Sequence, residues 1–480
     1  MENKSEESAV KGMFWKTLEQ YSILGIQFIL QIIIARLLEP SAFGIIAIVI
    51  VFITISNVFI QNGFAVALVQ RKEIDREDVS SVFHFSMIIA TLFYVIMFCS
   101  SGFISSFFSM PELDPLLKVM SLSLFPQTYC SIQTALLRRQ MDFKSIFKTS
   151  IIAVSISGAI AIVAAYQGLG VWALAMQQMI YCFALAFALY FHTKWVPLLV
   201  FKAQRLKEYF SFGWKVLVTN LVDEAFNELR SIVIGRCYSS ADLSFFNRGK
   251  QFPNLLMKSI NGSLQAVLLP KLSKNQDNRA KLFDIMHQTI SVSSFVMFPL
   301  MTLLAISATP MVEWMLTEKW LPCVLFIQWH CLYYATWPVT TTNAQALYAI
   351  GRSDVVMKAE LIRKVLDIAV LFVTLTYGVI GITIGSVVVS LLTIPIYLLP
   401  AQRCIGYKII WQFKDMSVSL LLSIMMGGTV YCLRFLHWGA FTTFCFQIVF
   451  GIFLYVSMAY LFKVKALDAV CSIFKLRLRK

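Results

Sequence analysis

The chain is a succession of apolar runs, each some twenty residues or longer, separated by gaps too short to hold a domain. A helix of about 20 mostly apolar residues crosses a bilayer core of about 30 Å. Within lipid, only helices and closed barrels satisfy their own backbone groups. The runs therefore read as membrane-spanning helices at residues 13–36, 43–69, 81–108, 114–137, 146–167, 170–191, 209–234, 242–269, 284–308, 322–348, 354–376, 379–400, 412–433 and 440–462. The composition agrees: 58% of the 480 residues are hydrophobic and only 14% charged, against about 25% charged in soluble domains. The expected fold is an all-α membrane protein of about fourteen spans. Short connections leave no room for a soluble catalytic domain, so the expectation is not an enzyme. Met1 to Lys11 is polar, and the apolar stretch after it lacks a small-residue cleavage site, so span 1 is expected to stay in the mature protein.

A net charge of +15 could suggest nucleic acid, but its placement argues for topology control and no nucleic-acid partner. Basic residues crowd alternate gaps: Arg71, Lys72 and Arg76; Arg138, Arg139, Lys144 and Lys148; Lys194, Lys202, Arg205 and Lys207; Lys271, Lys274, Arg279 and Lys281. The tail adds Lys475, Arg477, Arg479 and Lys480, and Lys4 and Lys11 precede span 1. The other gaps hold few, such as Arg36, Lys118, Arg236, Lys319 and Arg434. The positive-inside rule then places both termini in the cytoplasm, where basic segments also meet anionic lipid heads. Ten cysteines without a C-x-x-C pair read as small hydrophobes, with no metal site or disulfide framework expected. No phosphate-cradling loop is present, so an ATP-driven pump and a bound cofactor are not expected.

A repeat runs through the chain. Trp15-Lys16 opens span 1, and Arg36 precedes Leu37-Leu38-Glu39-Pro40-Ser41-Ala42-Phe43-Gly44. Trp214-Lys215 opens span 7, and Arg236 precedes Cys237-Tyr238-Ser239-Ser240-Ala241-Asp242 at almost the same distance. Six spans per copy gives both copies one orientation, as in transporters built of parallel repeats. The expected division is residues 1–205 as one six-helix lobe and 206–405 as a second. Residues 406–480 add two C-terminal helices and a basic tail.

Charges inside spans cost about 2.5–3.5 kcal/mol each at a helix centre, so they need a wet or paired environment. Span 8 carries Asn247, Gln251, Asn254, Lys258 and Asn261 at spacings of four, three, four and three. That is one helical face, polar for four turns, and it is expected to line a water-filled cavity. Arg248 and Lys250 flank it. Span 7 carries Asp223, Glu224 and Glu228, with Asn220, Glu224 and Glu228 on one face. These carboxylates either line the same cavity or pair with the cations, as Glu228 with Lys258. Span 11 carries Glu360, Arg363, Lys364 and Asp367, which read first as a self-paired helix turn.

The run Arg36 to Gly44, and the block from Ile234-Gly235-Arg236 through Asn247-Arg248 and Pro253 to Leu268-Leu269-Pro270-Lys271-Leu272-Ser273, resemble the polysaccharide transporters of the MOP superfamily. That superfamily unites multidrug, oligosaccharidyl-lipid and polysaccharide exporters, and the resemblance is to its Wzx-like flippases. Arg36, Pro40 and Gly44 stand at the family motif. The resemblance implies a MATE-like two-lobe fold in the bacterial inner membrane, and transport of undecaprenyl-pyrophosphate-linked oligosaccharide to the outer face by alternating access. It implies that Lys258 and Arg248 meet the anionic pyrophosphate and sugars, beside Asn247, Gln251, Asn254 and Asn261. It also implies polymerase and chain-length proteins of the same pathway as partners. Span 7 is richer in carboxylates than the family pattern. Each negative charge leaving a negative-inside cell gains about 2.3 kcal/mol per 100 mV, so the potential alone can drive export; H+ or Na+ antiport through Glu224 or Glu228 fits equally. A cation exporter or a peptidoglycan lipid flippase of the same superfamily is the alternative.

Overall fold

The computed structural model describes residues 2–61, 74–436 and 438–478, with side chains described for 15–61, 74–202, 214–436 and 438–471. Part of expected span 2 (62–69), Arg71, Lys72, Arg479 and Lys480 lie outside these residues, as do the side chains of Lys4, Lys11, Arg205, Lys207, Lys475 and Arg477. The architecture is all-α, with no strand among the described residues. In chain order the helices are α1 (Glu2–Leu37), α2 (Pro40–Gln61), α3 (Arg76–Phe108), α4 (Leu113–Met120), α5 (Leu124–Arg139), α6 (Phe143–Tyr166), α7 (Val171–Thr193) and α8 (Ala203–Cys237). There follow α9 (Ser240–Ser273), α10 (Arg279–Leu316), α11 (Cys323–Ala335), α12 (Trp337–Ala349), α13 (Ser353–Thr374), α14 (Gly378–Ile405), α15 (Ile409–Cys432), α16 (Ala440–Leu461) and α17 (Lys465–Leu478).

All fourteen expected spans fall on helix wherever they are described. Two are broken. Span 4 divides at Ser121–Ser123, just ahead of Pro126, whose ring and missing N–H disfavour the helical bond back to Leu122. Span 10 divides at Thr336, and Pro338 sits in the first turn of α12, where its missing N–H costs nothing. Among the described residues, nine stretches are long and apolar enough to cross a membrane, and Ser353–Ile405 holds two helices. The charged α8 and α9 and the broken pairs α4–α5 and α11–α12 are outside that set. Several helices also overrun their apolar cores. The 38 residues of α10 span about 57 Å at 1.5 Å per residue, well beyond the bilayer core. The basic tail forms a further helix, α17.

The chain separates into two compact units, Met1–Ser244 and Phe245–Lys480. In the first, α6 lies against α1 and α7 on a buried face of small residues that includes Ala153, Ser157, Gly158, Ala161 and Ala164. Lipid removes the hydrophobic drive between helices, so close approach over small residues supplies the attraction. After α7 the chain is strapped onto the start of α3. Ser80 Oγ accepts from Leu198 N and Ser81 Oγ from Lys202 N, both at 3.0 Å, and Lys202 pairs with Glu77. Trp195, 8% exposed, anchors the strap among Val79, Val82, Phe83 and Ile132.

The second unit is organised around α10, which packs on α11, α15 and α16. Pro299 lies inside α10 and has no N–H to give the Phe295 carbonyl one turn back. The Tyr455 hydroxyl of α16 donates to that carbonyl at 3.0 Å. Tyr455 is buried in the cluster with Phe295, Leu303, Leu422, Met426 and Val430. The defect in one helix is thus repaired by the side chain of another.

Candidate functional site

The second unit holds a half-open cavity of about 310 Å³ walled by α9, α11, α12, α13 and α14. Helical periodicity assembles each wall. On α12, Trp337, Thr340, Thr341, Gln345 and Tyr348 recur at intervals of three, one, four and three and so share a face. On α13, Glu360, Arg363 and Asp367 do the same; α14 adds Ser390, Thr393 and Tyr397, and α9 adds Asn261 and Gln265. The break at Thr336 brings Tyr333 of α11 beside Trp337, with ring centroids 6.3 Å apart.

One charged contact organises the floor. Arg363 Nε and Nη2 both donate to Glu360 Oε2, at 3.0 and 2.8 Å, and the Tyr397 hydroxyl donates to Glu360 Oε1. The self-paired turn expected of span 11 is therefore present, yet its residues also face the cavity. With Asp367 the lining carries two carboxylates against one guanidinium. The hydroxyls are mostly spent as donors. Thr336, Thr340, Ser390 and Thr393 each give their proton to a backbone carbonyl of their own helix or turn. Their lone pairs remain for a ligand. Asn261 is 8% exposed, and its Oδ1 and the Oε1 of Gln345 are buried without any hydrogen-bond partner. Both oxygens are covered by protein atoms and not open to the cavity, so their missing bonds are a cost carried by the packing.

The sequence-predicted residues distribute as follows. Asn261 lines the cavity. Lys258, one turn back on α9, is exposed and has no ion-pair partner among the described residues. Asn254 and Asn247 are half-buried, and Gln251 is exposed. Arg248 is 6% exposed; its guanidinium lies 5.1 Å from the Trp320 ring centroid, and Nη1 donates to Gln251 Oε1 at 2.7 Å. Glu224 and Glu228 on α8 are half-buried and Asp223 is exposed. These carboxylates belong to the first unit, whereas the cavity belongs to the second. Glu360, Arg363, Asp367, Trp337, Gln345 and Tyr397 were not singled out as site residues by sequence. The i, i+3, i+7 charges of span 11 were the one available signal.

The motif residues Arg36, Pro40 and Gly44 sit at the α1–α2 turn. Pro40 opens α2, where an N-terminal proline is favoured. The α8–α9 turn repeats the plan: Ser239 Oγ donates to Asp242 Oδ2 at 2.6 Å and accepts from Asp242 N at 3.1 Å, capping α9. The two turns touch. A Cβ on Gly44 would lie 1.8 Å from the Ser240 carbonyl oxygen, and one on Gly235 would lie 2.9 Å from Ile48 Cδ1. Arg236 stacks over Phe107 at 5.1 Å.

An all-helical, multi-pass membrane protein with polar spans and a half-open cavity lined by amides, hydroxyls and charged groups is a membrane transporter by class. The relatives place it further. Residues 33–325 match the family model described as polysaccharide biosynthesis protein, and the chain belongs to that family. It is 22% identical over 408 residues to the lipopolysaccharide biosynthesis protein WzxC of Escherichia coli (strain K12), covering 83% of this chain and 82% of that protein. In fold it resembles the lipid II flippase MurJ in an inward closed conformation, with a TM-score of 0.75 at 15% identity over 93% of this chain and 98% of that one. It also resembles an inward-facing multidrug resistance MATE family transporter of the MOP superfamily, with a TM-score of 0.60 at 15% identity over 79% and 94% of the two chains. The MATE-like fold expected from the sequence is the fold observed.

Proposed function

We propose that this protein carries undecaprenyl-pyrophosphate-linked oligosaccharide from the cytoplasmic to the outer face of a bacterial inner membrane by alternating access, for surface polysaccharide synthesis. The observation that carries the reading is the cavity of the second unit, lined by amides, hydroxyls and a carboxylate–guanidinium pair, in a chain of the polysaccharide biosynthesis family. A hydrophilic glycan cannot cross hydrocarbon unaided, whereas its lipid tail can remain there, so the protein has to supply polar groups at membrane depth. The bias of Lys and Arg to alternate gaps supports cytoplasmic termini. Residues 1–205 and 206–405 act in this reading as two moving lobes with 406–480 appended. The carrier's negative charge allows the membrane potential to drive export, and Glu224 and Glu228 are where an H+ or Na+ antiport would act. No catalytic step is required of the chain.

A second reading, a cation exporter, is favoured by one observation, the presence of two carboxylates, Glu360 and Asp367, in the cavity lining. Complementation separates the two. Wild type should restore surface glycan to a flippase-null strain and clear its cytoplasmic lipid-linked intermediates. A well-expressed protein that restores neither across several glycan backgrounds, yet confers resistance to cationic drugs, would establish the exporter instead.

A further inference from the structure

The cavity in the second unit holds the groups that recognise a polyol and few that recognise a phosphate. Phosphate oxygens are acceptors and need donors, above all unpaired Arg, Lys or backbone N–H groups. Here the Arg363 guanidinium, the one cation among the described residues of the lining, already donates twice to Glu360. Asp367 apart, the rest of the polar lining is neutral and includes the side-chain amides of Asn261, Gln265 and Gln345, and the hydroxyls of Thr340, Ser390 and Thr393, whose protons go to backbone carbonyls. Amides that donate and accept, and hydroxyl oxygens that accept, complement a ring bearing several O–H or acetamido groups. The aromatic side chains of Trp337 and Tyr333 add apolar faces with polar edges, the surface on which the C–H face of a pyranose packs. The volume of about 310 Å³ falls at the small end of ligand sites and suits one or two sugar rings rather than a whole repeat unit.

We infer that this cavity is a sugar subsite, taking an uncharged pyranose of the substrate and not its pyrophosphate; the inference rests on the transport reading proposed above. The side-chain amides of Asn261 and Gln345 hydrogen-bond the ring's hydroxyl or acetamido groups, and Trp337 carries its apolar face. Glu360, held by Arg363 and Tyr397, fixes the α13–α14 wall.

The test uses the full chain in lipid nanodiscs free of sugar-headed detergents, read by tryptophan fluorescence. The probes are a panel of mono- and disaccharides (hexoses, N-acetylhexosamines and hexuronic acids), inorganic pyrophosphate and sodium chloride. At least one neutral sugar should produce a saturable change that is absent in W337F. Its apparent affinity should fall roughly three- to tenfold in N261A, the loss of one hydrogen bond. Pyrophosphate should neither produce the change nor compete with it. A Trp337-dependent response to pyrophosphate or sodium but to no sugar overturns the inference, as does a sugar response indifferent to N261A and to Gln345→Ala in proteins with wild-type melting temperatures. Complementation by wild type is read separately. Glycan export without sugar binding at Trp337 removes the subsite and leaves the transport reading. Sugar binding without export of any glycan does the reverse.

Discussion

Alanine at Gly44 should be among the most damaging small substitutions in the chain. The built Cβ falls 1.8 Å from the Ser240 carbonyl oxygen, 2.5 Å from its carbon and 2.9 Å from its Cα. All three are backbone atoms of the first turn of α9, pinned by the Ser239–Asp242 cap, so no rotamer change relieves the clash. Restoring an ordinary contact requires α2 and the α8–α9 turn to part by more than 1 Å, at an interface where Gly235 already fits tightly against Ile48 and Phe108. Overpacking costs about 1–3 kcal/mol, and rigid backbone on both sides argues for the upper half. In a protein that exchanges between states, about 1–3 kcal/mol against one state moves the balance some 5- to 150-fold. G44A is therefore expected to lose at least about fivefold in glycan export at equal membrane abundance, with a lower melting temperature. G25A is the control, because nothing lies within 4 Å of a Cβ at Gly25. It should export normally and melt no lower, since alanine is the better helix former. A G44A protein that melts and exports like wild type would show that the two turns do not need their close approach.

Three other outcomes follow from the structure. Lys258 is exposed one turn from Asn261, so K258A should weaken binding of pyrophosphate-bearing lipid-linked glycan while leaving the free-sugar response intact, and N261A should reduce both; equal loss of the free-sugar response in K258A would refute this division. Y455F strands the Phe295 carbonyl and should cost about 1–3 kcal/mol; in a P299A background, where residue 299 regains its N–H, the same change should cost far less, a coupling that a double-mutant cycle of thermal or denaturant unfolding measures. Asp142 caps α6, accepting from Ser145 N at 3.1 Å and Ser145 Oγ at 2.6 Å. Burial pushes its carboxyl upward, but the Ser145 bonds and nearby His192 outweigh this and hold it below the usual 3.8. Its stabilisation is thus full above that value and lost as pH falls through the lower folded value. D142A should cost about 0.5–2 kcal/mol at neutral pH, and the gap in melting temperature from wild type should close on strong acidification.

Much of the fold was legible because a bilayer imposes one length and one composition on every span. The breaks at Ser121–Ser123 and Thr336 were not, since window-averaged hydropathy runs through Pro126 and Pro338 as though they were ordinary residues. The site was legible only on α9, where a four-turn polar stripe stood out, and Asn261 from it lines the cavity. Span 11 was read as a helix neutralising itself. Glu360 and Arg363 do pair, but α12 and α14 supply the facing Gln345, Ser390, Thr393 and Tyr397, and that convergence requires knowing which helices meet. Arg248 shows the complementary difficulty. As a cation beside a polar stripe it reads as a cavity residue, and only the fold reveals Trp320 and Gln251 around its guanidinium.

The arrangement along α9 suits the chemistry of a lipid-linked glycan. In such a molecule the charge sits at the lipid end, and the first sugar follows it directly. A single site that bound both with equal strength would need strong donors and strong acceptors in the same space, and those would pair with one another, as Arg363 does with Glu360. Separating them by one helical turn avoids the conflict. Lys258 and Asn261 lie about 4.5 Å apart in rise on one face of α9, close to the step from a phosphate to the sugar attached to it. In the proposed reading Lys258, without an ion-pair partner among the described residues, meets the anion, and the side-chain amides of Asn261 and Gln345 meet hydroxyls. On the same reading the stripe of span 8 acts as a ruler that places the charged end of the substrate before it admits the neutral one. On that proposal glycans that differ beyond the first sugar or two are expected to be carried alike, because a cavity of about 310 Å³ has room only for the part of the chain nearest the lipid.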